Sequence, residues 1–365
     1  MSSQKSAGKK SSVSSLYLEA TITQPMTSFL SHELIDPDLE IDTRSAIDQF
    51  VATIEELNVV LARHSKMGTG GAHEDEVAIG NDGDSLESLF AIDDSSEDAN
   101  GVGLDLSNQE ASDDERMVGS ISPGRSSSSS AEDEVTLQLN NLVFLGYMSA
   151  VESYFRCLTR QLIHVDEFTA EAVQDVKIAF GAAKHAAPGL LPEVLMEDMT
   201  FITNDSIKDL LNKVIGVGVD GVSDLIKEYD RICQLRHCIV HRFGRLGTRN
   251  AMRLGFGVHK SLLERKIKIP GEKLEIIAFN LLNFVKAINN HVYSGVMKRS
   301  SAESLGWQWN IDSDREAFTE YYSIFQKTTS PGESLQIDDA YNTFRTTFEK
   351  GSATQVQRAK QSRRA

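Results

Sequence analysis

Arg236-His237-Cys238-Ile239-Val240-His241 sets a permanent cation five positions before an imidazole, with a second imidazole directly after the cation. Histidine titrates near neutrality, so it can take or give a proton. Arginine stays charged and grips two phosphate oxygens at once. Cleaving RNA without a metal needs a group that removes the 2′-hydroxyl proton, a group that protonates the departing 5′-oxygen, and a fixed cation for the phosphorane. The expected roles are Arg236 on the phosphorane, His241 as general acid or base, and His237 as a polarising or positioning group. His237 and His241 also have the i,i+4 spacing of two metal ligands on one helix. No Glu follows His237, and no third His, Asp or Glu stands at a convincing distance, so neither a metal nor a cofactor is expected.

The surrounding pattern says how these side chains must be held. Val222, Leu225, Ile226, Tyr229, Ile232 and Cys233 recur at helical spacing before the motif, and Ile239, Val240 and Phe243 continue the stripe. Arg236 follows Ile232 and Cys233 by four and three residues, which sets it on the apolar face. A guanidinium there must be paired, face a cleft or meet another chain, because burying it alone is too costly. Residues five apart on an ideal helix point about 140° from each other. Arg236 and His241 therefore converge only if the helix end unwinds near Gly244, if the arginine reaches round, or if a second copy brings its own motif alongside. The expectation is a composite site at a homodimer interface.

Charge is distributed unevenly. Residues 70 to 134 carry 18 Asp and Glu against Arg116 and Arg125, which accounts for the whole net charge of −16. Residues 231 to 273 hold eleven Arg and Lys against Glu264 and Glu272. This excess of cations favours phosphate binding, with Arg242, Arg245, Arg249 and Arg253 as the RNA-binding candidates. Glu152 and Arg156 are either a simple i,i+4 ion pair or a support that orients the motif. Trp307 and Trp309 read as core or interface aromatics. The acidic segment reads either as a solvated linker or partner-binding tail, or as a nucleic-acid mimic restraining the cationic site.

Stepping outward along the chain, residues 1–41 form an irregular arm with a β-like run over 16–30. Residues 42–67 form a helix, capped by Asp42 or Thr43, that docks on the main domain. Residues 68–134 are too polar to order themselves. The main domain, 135–298, opens with a helix of about 28 residues at Val135. A second helix runs from Thr169 to Lys184, and Gly189 and Pro192 mark a break. A short helix capped by Asp205 runs through Val214, Gly216 to Gly221 turn the chain, and the motif helix spans 222–243. A basic connector at 245–270 contains a hairpin or short helix, and a long helix runs from Gly271 to about Met297. An aromatic extension, 299–350, and a basic tail, 351–365, follow. The fold class is all-α, a bundle of four or five helices. Cys157, Cys233 and Cys238 lack C-x-x-C spacing, the N-terminus lacks a signal-peptide core, and no run of about 20 apolar residues could span a bilayer. A cytoplasmic protein with no membrane contact is expected.

The motif resembles the R-x(4-6)-H signature of the HEPN superfamily (higher eukaryotes and prokaryotes nucleotide-binding). His237 fits the polar position after the arginine, and Glu152-Ser153-Tyr154-Phe155-Arg156 is similar to the E-x-x-x-R pair of some branches. The resemblance covers roughly residues 135 to 298. It implies an all-α, metal-independent endoribonuclease acting as a homodimer, leaving 2′,3′-cyclic phosphate or 3′-phosphate and 5′-hydroxyl ends. It further implies a role in defence, as a toxin or in RNA processing, with an antitoxin or other protein as partner. The alternatives are a non-catalytic HEPN-like module that binds RNA, a nucleotide or a protein, and an adaptor built from long helices.

Overall fold

The computed structural model describes residues 31, 35, 42–68 and 127–362, apart from 188, 198, 303–305 and 330–333. The arm with its β-like run, the acidic stretch 69–126 and the last three residues of the basic tail lie outside the described residues. The chain divides at residue 43 into two units, and the second, Arg44–Ala365, contains every helix below. Among the described residues there are helices and no strands, with one isolated antiparallel bridge between Arg245 and Lys266.

Helix α1 (Ala46–Gly68) starts at Ser45, whose hydroxyl accepts the Asp48 N–H at 3.2 Å, so Ser45 takes the capping place expected of Asp42 or Thr43. Its stripe of Ile47, Phe50, Val51 and Ile54 is buried against α2 (Ser127–Val165). Gly146 permits the close approach, since a Cβ there would stand 2.8 Å from Leu57 Cδ1. Helix α2 has 39 residues and begins eight residues before the apolar pattern at Val135. From Val143 to Leu162, α2 buries Phe144, Tyr147, Met148, Val151, Tyr154, Phe155 and Leu158 at helical spacing.

The helix expected over Thr169–Lys184 is instead two short pieces, α3 (Glu167–Ala172) and α4 (Phe180–His185). The intervening Val173, Val176 and Ile178 are β-branched and Val176 is exposed, so no continuous packing face rewards a longer helix. Asp166 caps α3, accepting the Thr169 N–H at 2.9 Å and its hydroxyl at 2.6 Å. Then come α5 (Leu191–Met196) and α6 (Asn204–Asp209). Thr203 and Ser206 form a capping box on α6, displacing Asp205 from the expected role, and a π-helical turn, Leu210–Ile215, follows. Helix α7 (Ser223–His241) carries the motif, α8 (Thr248–His259) fills the basic connector, and α9 (Gly271–Ala302) is the second long helix. The aromatic extension forms α10 (Ile311–Phe325) and α11 (Ile337–Ser362).

Helices α2, α7 and α9 meet around an aromatic stack. Tyr229 of α7 lies flat on Phe284 of α9, with ring centroids 4.5 Å apart, and Phe155 of α2 meets the same ring tilted by 60° at 6.2 Å. The Tyr229 hydroxyl donates to Phe201 O at 3.0 Å. These contacts fix the rotation of α7 and hence which face it turns outward. Trp307 and Trp309 pack against Phe344 in a second aromatic cluster with Phe318 and Tyr341. No helix among the described residues is long and apolar enough to cross a membrane.

Candidate functional site

Cys238 sets the site's geometry from beneath. It is fully buried against Leu246 and Ala251, which locks the last turn of α7 onto α8. A second tie is polar: the buried Asn250 amide of α8 donates to the Gln234 side-chain oxygen at 3.1 Å. Buried amides need such partners, and the Gln234 amide in turn donates to the Asp230 carboxylate at 3.4 Å. Neither residue signalled this in the sequence, where both resemble surface polar positions sixteen residues apart.

The consequence is a cluster of cations. Arg236 is half-buried, and it makes no hydrogen bond or ion pair among the described residues. His237 and His241 share the exposed face one turn apart, their ring centroids 4.6 Å from each other and tilted by 56°. Partial burial and the charges of His241, Arg236, Arg249 and Arg253 hold the His237 imidazole below its usual pKa. Arg236, His241, Arg249 and Arg253 therefore all act electrostatically on His237, and they come from two helices.

The other arginine candidates are engaged elsewhere. Arg242 pairs with Glu264 at 2.5 Å, and Arg245 donates to the Glu264 carbonyl at 2.9 Å. Both brace the turn that closes the α8 loop. Arg253 also has a loose ion pair with Asp230 at 3.8 Å. Glu152 and Arg156 do form the i,i+4 pair, at 3.3 Å. The guanidinium also donates to Met196 O at 2.5 Å and Met199 O at 2.7 Å, so Arg156 ties α2 to the α5 region. Glu152 does act on Tyr229: burial, Cys233 and Glu152 push that phenol well above its usual pKa, and Arg236 opposes them.

Helix α7 stays regular through His241 and ends with the Arg242 and Gly244 N–H groups both donating to Cys238 O, at 3.0 and 3.1 Å. Gly244, at φ 75°, makes that reversal easy. The unwinding that would bring Arg236 and His241 together within one chain is not there. What the arrangement can do chemically is hold an anion at Arg236 and Arg249 and exchange protons at two imidazoles. Among the described residues, no three His, Cys, Asp or Glu side chains are grouped as they would be to hold a metal ion. No protein-family model matches this chain, and no curated protein or solved structure is significantly similar to it.

Proposed function

We propose that this chain is a metal-independent endoribonuclease of the HEPN type, cleaving RNA by attack of the 2′-hydroxyl on the adjacent phosphorus. The observation that carries the reading is Arg236, a half-buried guanidinium with no anion among the described residues, acting with His241, Arg249 and Arg253 on the adjacent His237. Charge held this way is costly until a ligand supplies the counter-charge. A phosphodiester does so, and its charge grows in the phosphorane.

In this reading Arg236 takes the non-bridging oxygens, and Arg249 and Arg253 take flanking phosphates. His241 transfers the proton, and His237, kept neutral by partial burial and its cationic neighbours, accepts a hydrogen bond that positions the substrate. The 2′-oxygen bonds to phosphorus, the bond to the 5′-oxygen breaks, and that oxygen leaves protonated. The products end in 2′,3′-cyclic phosphate and 5′-hydroxyl. Because α7 is helical through His241, Arg236 and His241 diverge by about 140°. A second copy supplies the missing group, and exposed Val240 and Met252 among the cations support such a face. The buried thiols Cys157, Cys233 and Cys238 suit the reducing cytoplasm. Defence, toxin and RNA-processing roles, with an antitoxin as partner, follow from the resemblance.

The test is incubation of the full chain with labelled total RNA and tRNA in EDTA, beside Arg236→Ala and His241→Ala, with end-group analysis of the fragments. Cleavage that survives EDTA and disappears in both variants is expected; cleavage that persists in both variants, or none at all, overturns the reading. The unbroken helix favours one second reading, a non-catalytic module that binds RNA, a nucleotide or a protein. A chain that stays monomeric in solution and binds RNA unchanged after His241→Ala would favour it.

A further inference from the structure

Beside the end of α7 opens a cleft of about 530 Å³ whose composition differs from that of the cationic cluster. One wall is Phe243, two residues past His241. The residue is 95% exposed and its backbone sits at φ 52°. A non-glycine residue in that region is strained, and a bare phenyl ring adds a hydration cost. Both are maintained by rigid surroundings. Ile267 N–H donates to Gly244 O at 2.7 Å, and Leu246 N–H donates to Arg265 O at 3.0 Å. The ring is therefore held out into the cleft mouth by a clamped turn, with no ring partner among the described residues.

The facing wall is α2. Leu137 contributes apolar surface, and Gln138 and Asn141 contribute amides. The Asn141 side-chain oxygen is buried with no hydrogen-bond partner. A buried acceptor in that state is destabilising unless a ligand donates to it. Lys266 and Lys268 edge the same cleft. Lys266 has a solvent-exposed contact with Glu134 at 3.4 Å, and Lys268 has no ion pair among the described residues.

We propose that this cleft is a nucleobase subsite for single-stranded RNA, with the base stacked on Phe243, its edge donating to Asn141, and its phosphates on Lys266 and Lys268. Every nucleobase has a π face and at least one N–H on its pairing edge, which are what the two walls lack. Duplex RNA cannot present an unstacked base, so the subsite selects loops and unpaired strands. The inference rests on reading the motif as an RNA site, since it places a captured base beside the end of the helix that carries Arg236.

The experiment uses the full chain carrying His241→Ala, so that RNA survives, and measures binding by fluorescence anisotropy in EDTA. The probes are a labelled single-stranded oligoribonucleotide, its duplex, and an abasic strand with the same phosphates. Phe243→Ala should weaken binding of the oligonucleotide by about 5- to 100-fold and leave the abasic strand unchanged. Phe243→Trp should keep the affinity, and Asn141→Leu should weaken it. Equal binding of the abasic and intact strands, or no effect of Phe243→Ala, overturns the subsite. So does a change of oligomeric state in Phe243→Ala without base dependence, which would assign the ring to a protein contact. Free nucleoside monophosphates that compete as well as the oligonucleotide would assign the cleft to a free nucleotide and overturn the strand reading. The two readings fail separately: base-dependent binding lost in Phe243→Ala upholds the subsite even if the unmutated chain cleaves nothing, whereas cleavage with base-independent binding removes only the subsite.

Discussion

Arg299 and Arg236 are both partly withdrawn from water, and the protein treats them in opposite ways. Arg299 on α9 donates to Asp166 and to Ile215 O, each at 2.6 Å, and lies 4.3 Å from the Phe168 ring centroid. It clips the α2–α3 turn to the π-helical turn and to α9. Arg236 on α7 has no such partner among the described residues, and it acts together with His241, Arg249 and Arg253 on the neighbouring His237. Both settings belong to the same chain and the same packed unit. The difference teaches that the fold can neutralise a withdrawn guanidinium and does not do so at the motif. Paired charge there would serve stability and block an anion; unpaired charge gives up some stability and, in the proposed reading, leaves room for an anion.

Breaking Arg299 gives the largest effect. The ion pair is nearly buried, with 11% and 4% of the two side chains exposed. Arg299→Ala leaves the Asp166 carboxylate without its cation, and a loss of about 3–5 kcal/mol in urea unfolding is expected, with the site's chemistry intact in the protein that remains folded. Arg236→Ala should do the reverse. RNA cleavage falls by roughly 10²–10³-fold, while unfolding free energy changes by less than about 1 kcal/mol. Equal losses of stability in the two variants would dissolve the comparison.

Asp48 extends the paired side to a carboxylate. Burial alone would raise its pKa, but the N–H and hydroxyl groups of Thr328 and Thr329 donate to it and hold it below 3.8. Asp48→Asn should cost about 1.5–3 kcal/mol. That difference is full above the unfolded value of 3.8 and disappears as pH falls through the lower folded value, which acid titration of both proteins would check.

Smaller effects sharpen the open side. Arg249→Ala and Arg253→Ala should each weaken RNA binding and reduce the slope of log K against log salt by about one; Arg242→Ala, tied to Glu264, should change the slope less. NMR titration should place the His237 pKa below its usual 6.5 and move it upward in Arg249→Ala, since a removed cation no longer opposes protonation. The depressed value means the native state binds fewer protons than the unfolded chain. His237 therefore weakens the fold as pH drops from 6.5 toward its folded value, and less so in that variant.

Much of the helical architecture was legible because apolar periodicity reports a packed face directly. Phe50 and Ile54 mark α1, Phe144 to Leu162 mark α2, and Leu281 to Val292 mark α9. Boundaries were less legible where capping decided them. Ser45 and Thr203 won over Asp42 and Asp205 because backbone geometry, not residue type alone, puts a side-chain oxygen within reach of the N–H two or three positions on. The 169–184 helix broke for want of a partner surface, which spacing within that segment cannot reveal.

Within the candidate site, the types and order of Arg236, His237 and His241 came from the sequence alone, because proton exchange and anion binding are properties of side chains. The sequence likewise determined the excess of cations over residues 231–273. Only the tertiary structure decided which of those cations meet. Burial of Cys238 and the Gln234–Asn250 pair turn Arg249 and Arg253 toward His237, whereas Glu264 draws Arg242 and Arg245 away. It also decided that Phe243 stands bare opposite Asn141, a residue about a hundred positions earlier. Such groupings depend on which helix faces pack together, and that is a sum over the whole core rather than a property of any one stretch of chain.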